Sequence, residues 1–289
     1  MSRKTRKLPD EFRNGFTLIE ILVVAGILSL LLALLLPAAM HVREAARRFQ
    51  CSSNMRQIGL GILCYEGNYK RLPPSHTKSP DHNILTFILP FIEQEQVYKN
   101  FDLKLDWNKG KNAEARKAEI PIFRCPSAQI GPRSHISDYA ANVKIQPAVY
   151  NPLIKRGIAT KRKLWYNMLR PDQRPVRVAE VRDGMSYSML FFEDGGRPYG
   201  YENRTHTGST SITGASWADV DAFYYTHSPC NEIQLMNCTN MNETFSFHSG
   251  GCFFLYGDSS VTFHSEEINP ETFFSRFTYN QRDRVNDEF

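Results

Sequence analysis

The sequence contains no C-x-x-C pair and no Cys/His spacing that suits a zinc site. It also lacks a G-x-S-x-G elbow, an H-E-x-x-H helix and a P-loop. These absences exclude the motif-defined hydrolases, zinc peptidases and P-loop nucleotide hydrolases. The remaining Asp, Ser and His residues stand at spacings that prescribe no triad, so no enzyme is expected. The net charge is only +5, and the two signs are mixed after the basic residues near the start. No surface suited to nucleic acid is therefore expected. Disorder is equally disfavoured, because apolar residues make up 42% and charged residues 22% of the chain. A length of 289 residues leaves room for one large or two modest domains.

What the sequence does have is one long apolar run, RNGFTLIEILVVAGILSLLLALLLPAAM, starting at Arg13. Residues 16–36 would span about 31 Å as a helix, enough to cross a bilayer. A soluble core helix is rarely apolar on all sides for this length. A cleaved secretory signal would share the basic start and the small residues Ala38 and Ala39. Its apolar core is ordinarily shorter, and it does not carry an acid. Here Glu20 stands alone in the run, and a carboxylate in hydrocarbon costs several kcal/mol by most estimates.

The stretch Gly15-Phe16-Thr17-Leu18-Ile19-Glu20 resembles the prepilin cleavage and methylation motif of type IV pilins and type II secretion pseudopilins. The resemblance implies that a membrane peptidase, which is also a methylase, cuts after Gly15 and methylates the new amino terminus at Phe16. It implies that Glu20 serves assembly. The physical chemistry is compatible: a carboxylate one helical turn from a free amino group can neutralise it, and such a pair strengthens as the dielectric falls. The leader should stay in the cytoplasm, with the rest exported across a bacterial cytoplasmic membrane.

Beyond the span, Pro37 is expected to kink the helix or mark its end. Helical periodicity then resumes, with Cys51, Met55, Ile58, Ile62 and Tyr65 on one face. Ser52, Asn54, Arg56 and Gln57 lie off that stripe, and Cys64 on the far side. Gly59-Leu60-Gly61 has neither the preceding strand nor the third glycine of a phosphate loop. The helix is expected to end near Gly67. Residues 84–101 suggest a short helix broken by Pro90, and residues 111–119 another. Strands are expected in VRVAEV (176–181), SYSMLFFE (186–193) and residues 217–225. Residues 252–264 read as a hairpin turning at 257–260, and Asn269-Pro270 as the capped start of a last helix.

A second resemblance covers most of the chain. Residues 51–74, the ILPFIEQ segment, Phe123-Arg124-Cys125-Pro126-Ser127, residues 137–142, 181–193 and 247–263 resemble a bacterial family. Its members join a prepilin-type N-terminus to a large domain of unknown function. They end in His, nine residues, then Asp-Gly. The motif maps onto His248 and Asp258, with Ser259 in place of the glycine. Either the turn differs or Asp258 takes the left-handed position. His248 and Asp258 could belong to a metal or sugar site, or simply hold the hairpin.

Together the resemblances imply an α+β, pilin-like architecture: a long N-terminal helix, its first half transmembrane, packed on a large antiparallel β-rich head. The expected divisions are a leader at 1–15, a membrane helix at 16–40, its extracytoplasmic half at 41–67 and a head at 68–289. The six cysteines fit either disulfides or buried thiols. Cys230 and Cys238 bracket a short polar loop. Cys51 and Cys125 both fall in family-like blocks, and a bond between them would tie helix to head. No metal ligand set and no cofactor is expected, apart from a possible calcium at Asp219 and Asp221. The function expected is a pseudopilin-like or minor-pilin-like subunit, with the membrane, a prepilin peptidase and other pilin-like subunits as partners. The alternative is a single-pass anchored binding protein that uses the motif only for export.

Overall fold

The computed structural model describes residues 17–128, 131–171 and 175–282. It resolves into two compact units, Met1–Ala45 and Ala46–Phe289. Helix α1 runs Leu18–Tyr69 and continues through Pro37. Proline there removes one backbone donor, yet the helix is assigned without interruption on both sides. Within the first unit the large apolar side chains from Leu18 to Val42 are exposed, and the segment is long and apolar enough to cross a membrane. Lipid would be the natural solvent for such a surface.

The second unit begins with the amphipathic part of α1. Cys51, Met55, Ile58 and Ile62 are fully buried, whereas Tyr65 is half-buried and Cys64 exposed. One polar residue departs from the expected pattern. Asn54 is buried, and its Nδ2 donates to the Arg124 carbonyl at 2.9 Å while its Oδ1 accepts from Gln50 at 2.8 Å. A satisfied amide can be buried at little cost, so polarity alone misplaces it. The two glycines of Gly59-Leu60-Gly61 are packing residues. A Cβ on Gly59 would meet Leu255 at 2.7 Å, and one on Gly61 would meet Ile92 at 2.6 Å.

Short helices follow at Ile84–Ile88 (α2), Glu95–Lys99 (α3) and Asn112–Ala115 (α4). A helical turn at Leu89–Phe91 carries Pro90 at its start, where a missing N–H does no harm. The central sheet has five strands: Tyr139–Ile145 (β1), Met189–Glu193 (β2), Phe223–Thr226 (β3), Gly251–Tyr256 (β4) and Val261–Ser265 (β5). Their spatial order is β3-β1-β2-β4-β5. Three of the pairings are antiparallel, and β3 lies parallel to β1. The head is thus α+β with a mixed rather than wholly antiparallel sheet.

The inner strands are buried on both faces, which is why CFFLY reads as a continuous apolar run. Tyr139, Ala141, Val143, Phe253 and Leu255 join the core beneath α1. Ala140, Cys252, Phe254 and Tyr256 join a second core on the other face. That second core is filled by Phe273, Phe274 and Phe277 of α6 (Pro270–Phe277) and by Val149 and Leu153 of α5 (Pro147–Lys155). Helix α6 starts as the sequence implies: Asn269 Oδ1 accepts from the Glu271 amide at 2.8 Å, and Pro270 takes the first turn.

Two strand expectations need correction. VRVAEV forms a 3-10 turn at Val178–Glu180, with Val176 and Val181 buried on either side of it. Two valines docked across a turn mimic strand alternation. Only Phe223–Thr226 of residues 217–225 is a strand, because Trp217 and Ala218 are spent in turns that seat the indole in the core. Strand β1 and helix α5 have no counterpart in the sequence reading.

Candidate functional site

The N-terminal end of α1 carries the first chemistry. Gly15 and Phe16 lie outside the described residues. Thr17 sits just ahead of the helix, and its amide and hydroxyl donate to Glu20 Oε2 at 2.7 and 2.8 Å. The Glu20 amide returns a bond to the Thr17 hydroxyl at 3.3 Å. This is a reciprocal capping box that satisfies donors the helix cannot pair internally. The lone acid of the apolar run therefore has a local partner.

The second concentration of chemistry lies inside the head. Cys51 comes from the buried face of α1. Cys125 follows the helical turn Pro121–Phe123, Glu193 ends β2, and His248 sits in the loop that leads into β4. All four are buried, and one ligand atom from each lies within 4.8 Å of the other three. His248 Nε2 stands 3.6 Å from Cys125 Sγ and 3.6 Å from Glu193 Oε1. The structure joins Cys51 to Cys125 as a disulfide, with a Cα–Cα distance of 5.3 Å.

Surrounding bonds hold these groups in place. Glu193 Oε2 accepts from the Phe253 amide at 2.7 Å, while among the described residues Oε1 has no hydrogen-bond partner. Burial pushes the Glu193 carboxyl up to about 8, partly offset by that amide. The Cys125 amide donates to Asp138 Oδ2 at 2.9 Å, and Asp138 is itself paired with the buried Arg133. The His248 amide donates to Ser246 Oγ at 3.2 Å. A cavity of about 850 Å³ reaches Cys125, with Gln50, Asn54, Arg124 and Arg133 among its walls.

The other sequence candidates sit elsewhere. Asp258 is exposed at the tip of the β4–β5 hairpin, where its Oδ1 accepts from the Ser260 amide and hydroxyl at 2.9 and 2.6 Å. The six residues of β4 separate it from His248, a distance of about 20 Å at strand rise. His248 and Asp258 therefore do not share a site. The left-handed position of the turn falls on Ser259, with φ of +67°, and not on Asp258. Among the described residues the buried Ser259 hydroxyl also has no hydrogen-bond partner. Ser259→Gly removes both penalties, and we expect urea denaturation to show a gain of about 1 kcal/mol. A loss of stability would mean that the hydroxyl has a partner in solution.

Cys230 and Cys238 are joined as a second disulfide, with a Cα–Cα distance of 5.3 Å. Asp219 and Asp221 lie in turns ahead of β3 rather than on a strand, and the Asp221 amide donates to Asp219 Oδ1 at 3.0 Å. Asn203, Asn237 and Asn242, each the first residue of an N-x-[ST] sequence, all take left-handed backbone conformations, which asparagine tolerates. Asn237 is buried, and its Nδ2 donates to Glu266 Oε2 at 2.7 Å.

A partly exposed histidine paired with a buried glutamate gives the head a pH dependence. His227 Nδ1 stands 2.8 Å from Glu243 Oε1. The hydrogen bond to Glu243 raises His227 from 6.5 to about 9. The folded state then holds its proton more tightly than the unfolded state. The contribution is complete below pH 6.5 and is lost as pH rises through about 9. Solvent screening at this partly exposed imidazole limits it to about 1 kcal/mol. Comparing wild type with His227→Gln at pH 6 and pH 10 should show that advantage only at the lower pH. An equal difference at both values would sink the assignment.

An apolar helix of membrane-spanning length, started by a glutamate-capped turn and continuing into an α+β head, defines a prepilin-type, pilin-like protein. The model for the prokaryotic N-terminal methylation motif matches residues 12–36. The chain belongs to the family described as Protein of unknown function (DUF1559), whose model matches residues 40–271. It is also similar to the competence protein ComGC of Halalkalibacterium halodurans, at 30% identity over 91 residues, covering 28% of this chain and 89% of that protein. No solved structure matches the chain. His248 and Asp258 were legible as the ends of a family motif. Glu193 was missed, since an acid ending an apolar strand carries no distinguishing signal.

Proposed function

We propose that the protein is a pseudopilin-like or minor-pilin-like structural subunit, acting by assembly rather than catalysis. A prepilin peptidase cuts between Gly15 and Phe16 and methylates Phe16. The helix then holds the protein in the cytoplasmic membrane as a single pass, with the cut leader on the cytoplasmic side. Other pilin-like subunits are its partners, through the exposed apolar face of α1. The observation that carries this reading is the methylation motif at residues 12–36, set directly on an apolar helix whose side chains are exposed. The similarity to a competence protein supports the same class.

Mass spectrometry of the protein isolated from membranes tests it. The expected mature chain begins at methylated Phe16. A chain beginning at Met40, or one that retains the leader, overturns the reading. Crosslinking of the membrane-held protein should capture other chains with the same type of N-terminus.

A further inference from the structure

Four potential ligands from distant parts of the chain converge in the head. A tetrahedral zinc ion holds sulfur at about 2.3 Å and nitrogen or oxygen at about 2.1 Å, which spaces its ligand atoms roughly 3.4–3.8 Å apart. The Cys125–His248 and His248–Glu193 separations are both 3.6 Å. Among the described residues the buried Glu193 Oε1 has no hydrogen-bond partner, with His248 Nε2 3.6 Å away, although the amide on Oε2 fixes the carboxylate's orientation. A polar oxygen left in this state is costly, and a cation would satisfy it. The Asp138 bond to the Cys125 amide supplies the kind of outer support that orients metal ligands. Two sulfurs, one imidazole and one carboxylate suit zinc and exclude calcium or magnesium.

We propose that Cys51, Cys125, His248 and Glu193 form a zinc(II) site in the dithiol state, and that this site and the Cys51–Cys125 disulfide are mutually exclusive. On binding, the two thiols release two protons to solvent. The thiolates, His248 Nε2 and Glu193 Oε1 then coordinate the ion. Oxidation needs a disulfide-bearing oxidant, either a small molecule or a protein. It accepts two electrons, its S–S bond breaks to give two thiolates that take up protons from solvent, the Cys51–Cys125 bond forms, and Zn²⁺ leaves. A dithiol reductant reverses the step. The cavity at Cys125 provides the approach for either reagent.

The test uses the full chain in detergent. It is reduced with a phosphine under anaerobic conditions, supplied with zinc sulfate and desalted. We expect one zinc per chain, and none in protein kept oxidised. Oxidised glutathione should release the metal, read with a chromogenic chelator. Cobalt(II) should show thiolate charge-transfer and tetrahedral bands. His248→Ala and Glu193→Gln should each weaken zinc binding at least about tenfold, and Cys125→Ser should abolish it. The wild-type measurement requires no variant to fold. Reduced wild-type protein that retains less than one zinc from an excess, whether folded or not, overturns the proposal. So does retention by the oxidised chain.

Discussion

Replacing Glu20 with alanine should leave cleavage after Gly15 intact and reduce entry into a fibre below detection. On the proposed reading, a subunit brought into a membrane-embedded bundle would carry a new amino group at Phe16. In a medium of low dielectric that charge would need neutralising, and Glu20, four residues along and the one acid of the apolar run, could supply the counter-charge. Glu20 also caps α1 through Thr17, and loss of a cap costs only about 1 kcal/mol. Glu20→Gln separates the two roles. It keeps an oxygen to accept from Thr17 but cannot neutralise an amine. Assembly lost in both variants identifies the charge, whereas assembly restored by glutamine identifies the cap. Gly15→Val should block processing altogether, giving a full-length precursor on immunoblots. Normal fibres from Glu20→Ala would remove Glu20 from the assembly mechanism.

Removing the disulfide between Cys51 and Cys125 should cost more stability than any other single covalent change. The bond spans 74 residues, for which loop-closure entropy in the unfolded chain gives about 4.5 kcal/mol. The Cys230–Cys238 bond spans only 8 residues, and the same relation gives about 2.5 kcal/mol. The longer bridge also joins the buried face of α1 to the loop beside β1. Cys51→Ala with Cys125→Ala should therefore lower the urea midpoint of the head clearly more than Cys230→Ala with Cys238→Ala. Equal effects would show that native-state strain or residual structure, not loop length, governs both bonds.

The lower half of α1 was legible because every fourth or third residue from Cys51 to Ile62 is apolar, and a helix turns that spacing into one buried face. The β4–β5 hairpin was legible for a similar reason, with a polar turn between two apolar runs. Strand β1 was not. Its sequence YAANVKI contains alanine and asparagine, which have little intrinsic strand preference. It is a strand because β2 and β3 pair with it on either side, and Asn142 Nδ2 donates there to Thr226 Oγ1 at 2.6 Å. Its parallel partner could not be inferred from local pattern, since parallel pairing depends on a long crossover.

By itself the sequence determined the helix, its membrane-length apolar surface and the motif around Glu20. These are local properties: each side chain points outward or meets its own helical neighbours, so spacing along the chain carries the information. Only the tertiary structure decided that Cys51, Cys125, Glu193 and His248 meet. They come from a helix, a loop, a strand end and a second loop, and no spacing in the chain encodes their convergence. What brings them together is the burial of α1 against the sheet, a cooperative packing of apolar surface to which none of the four residues need announce its part.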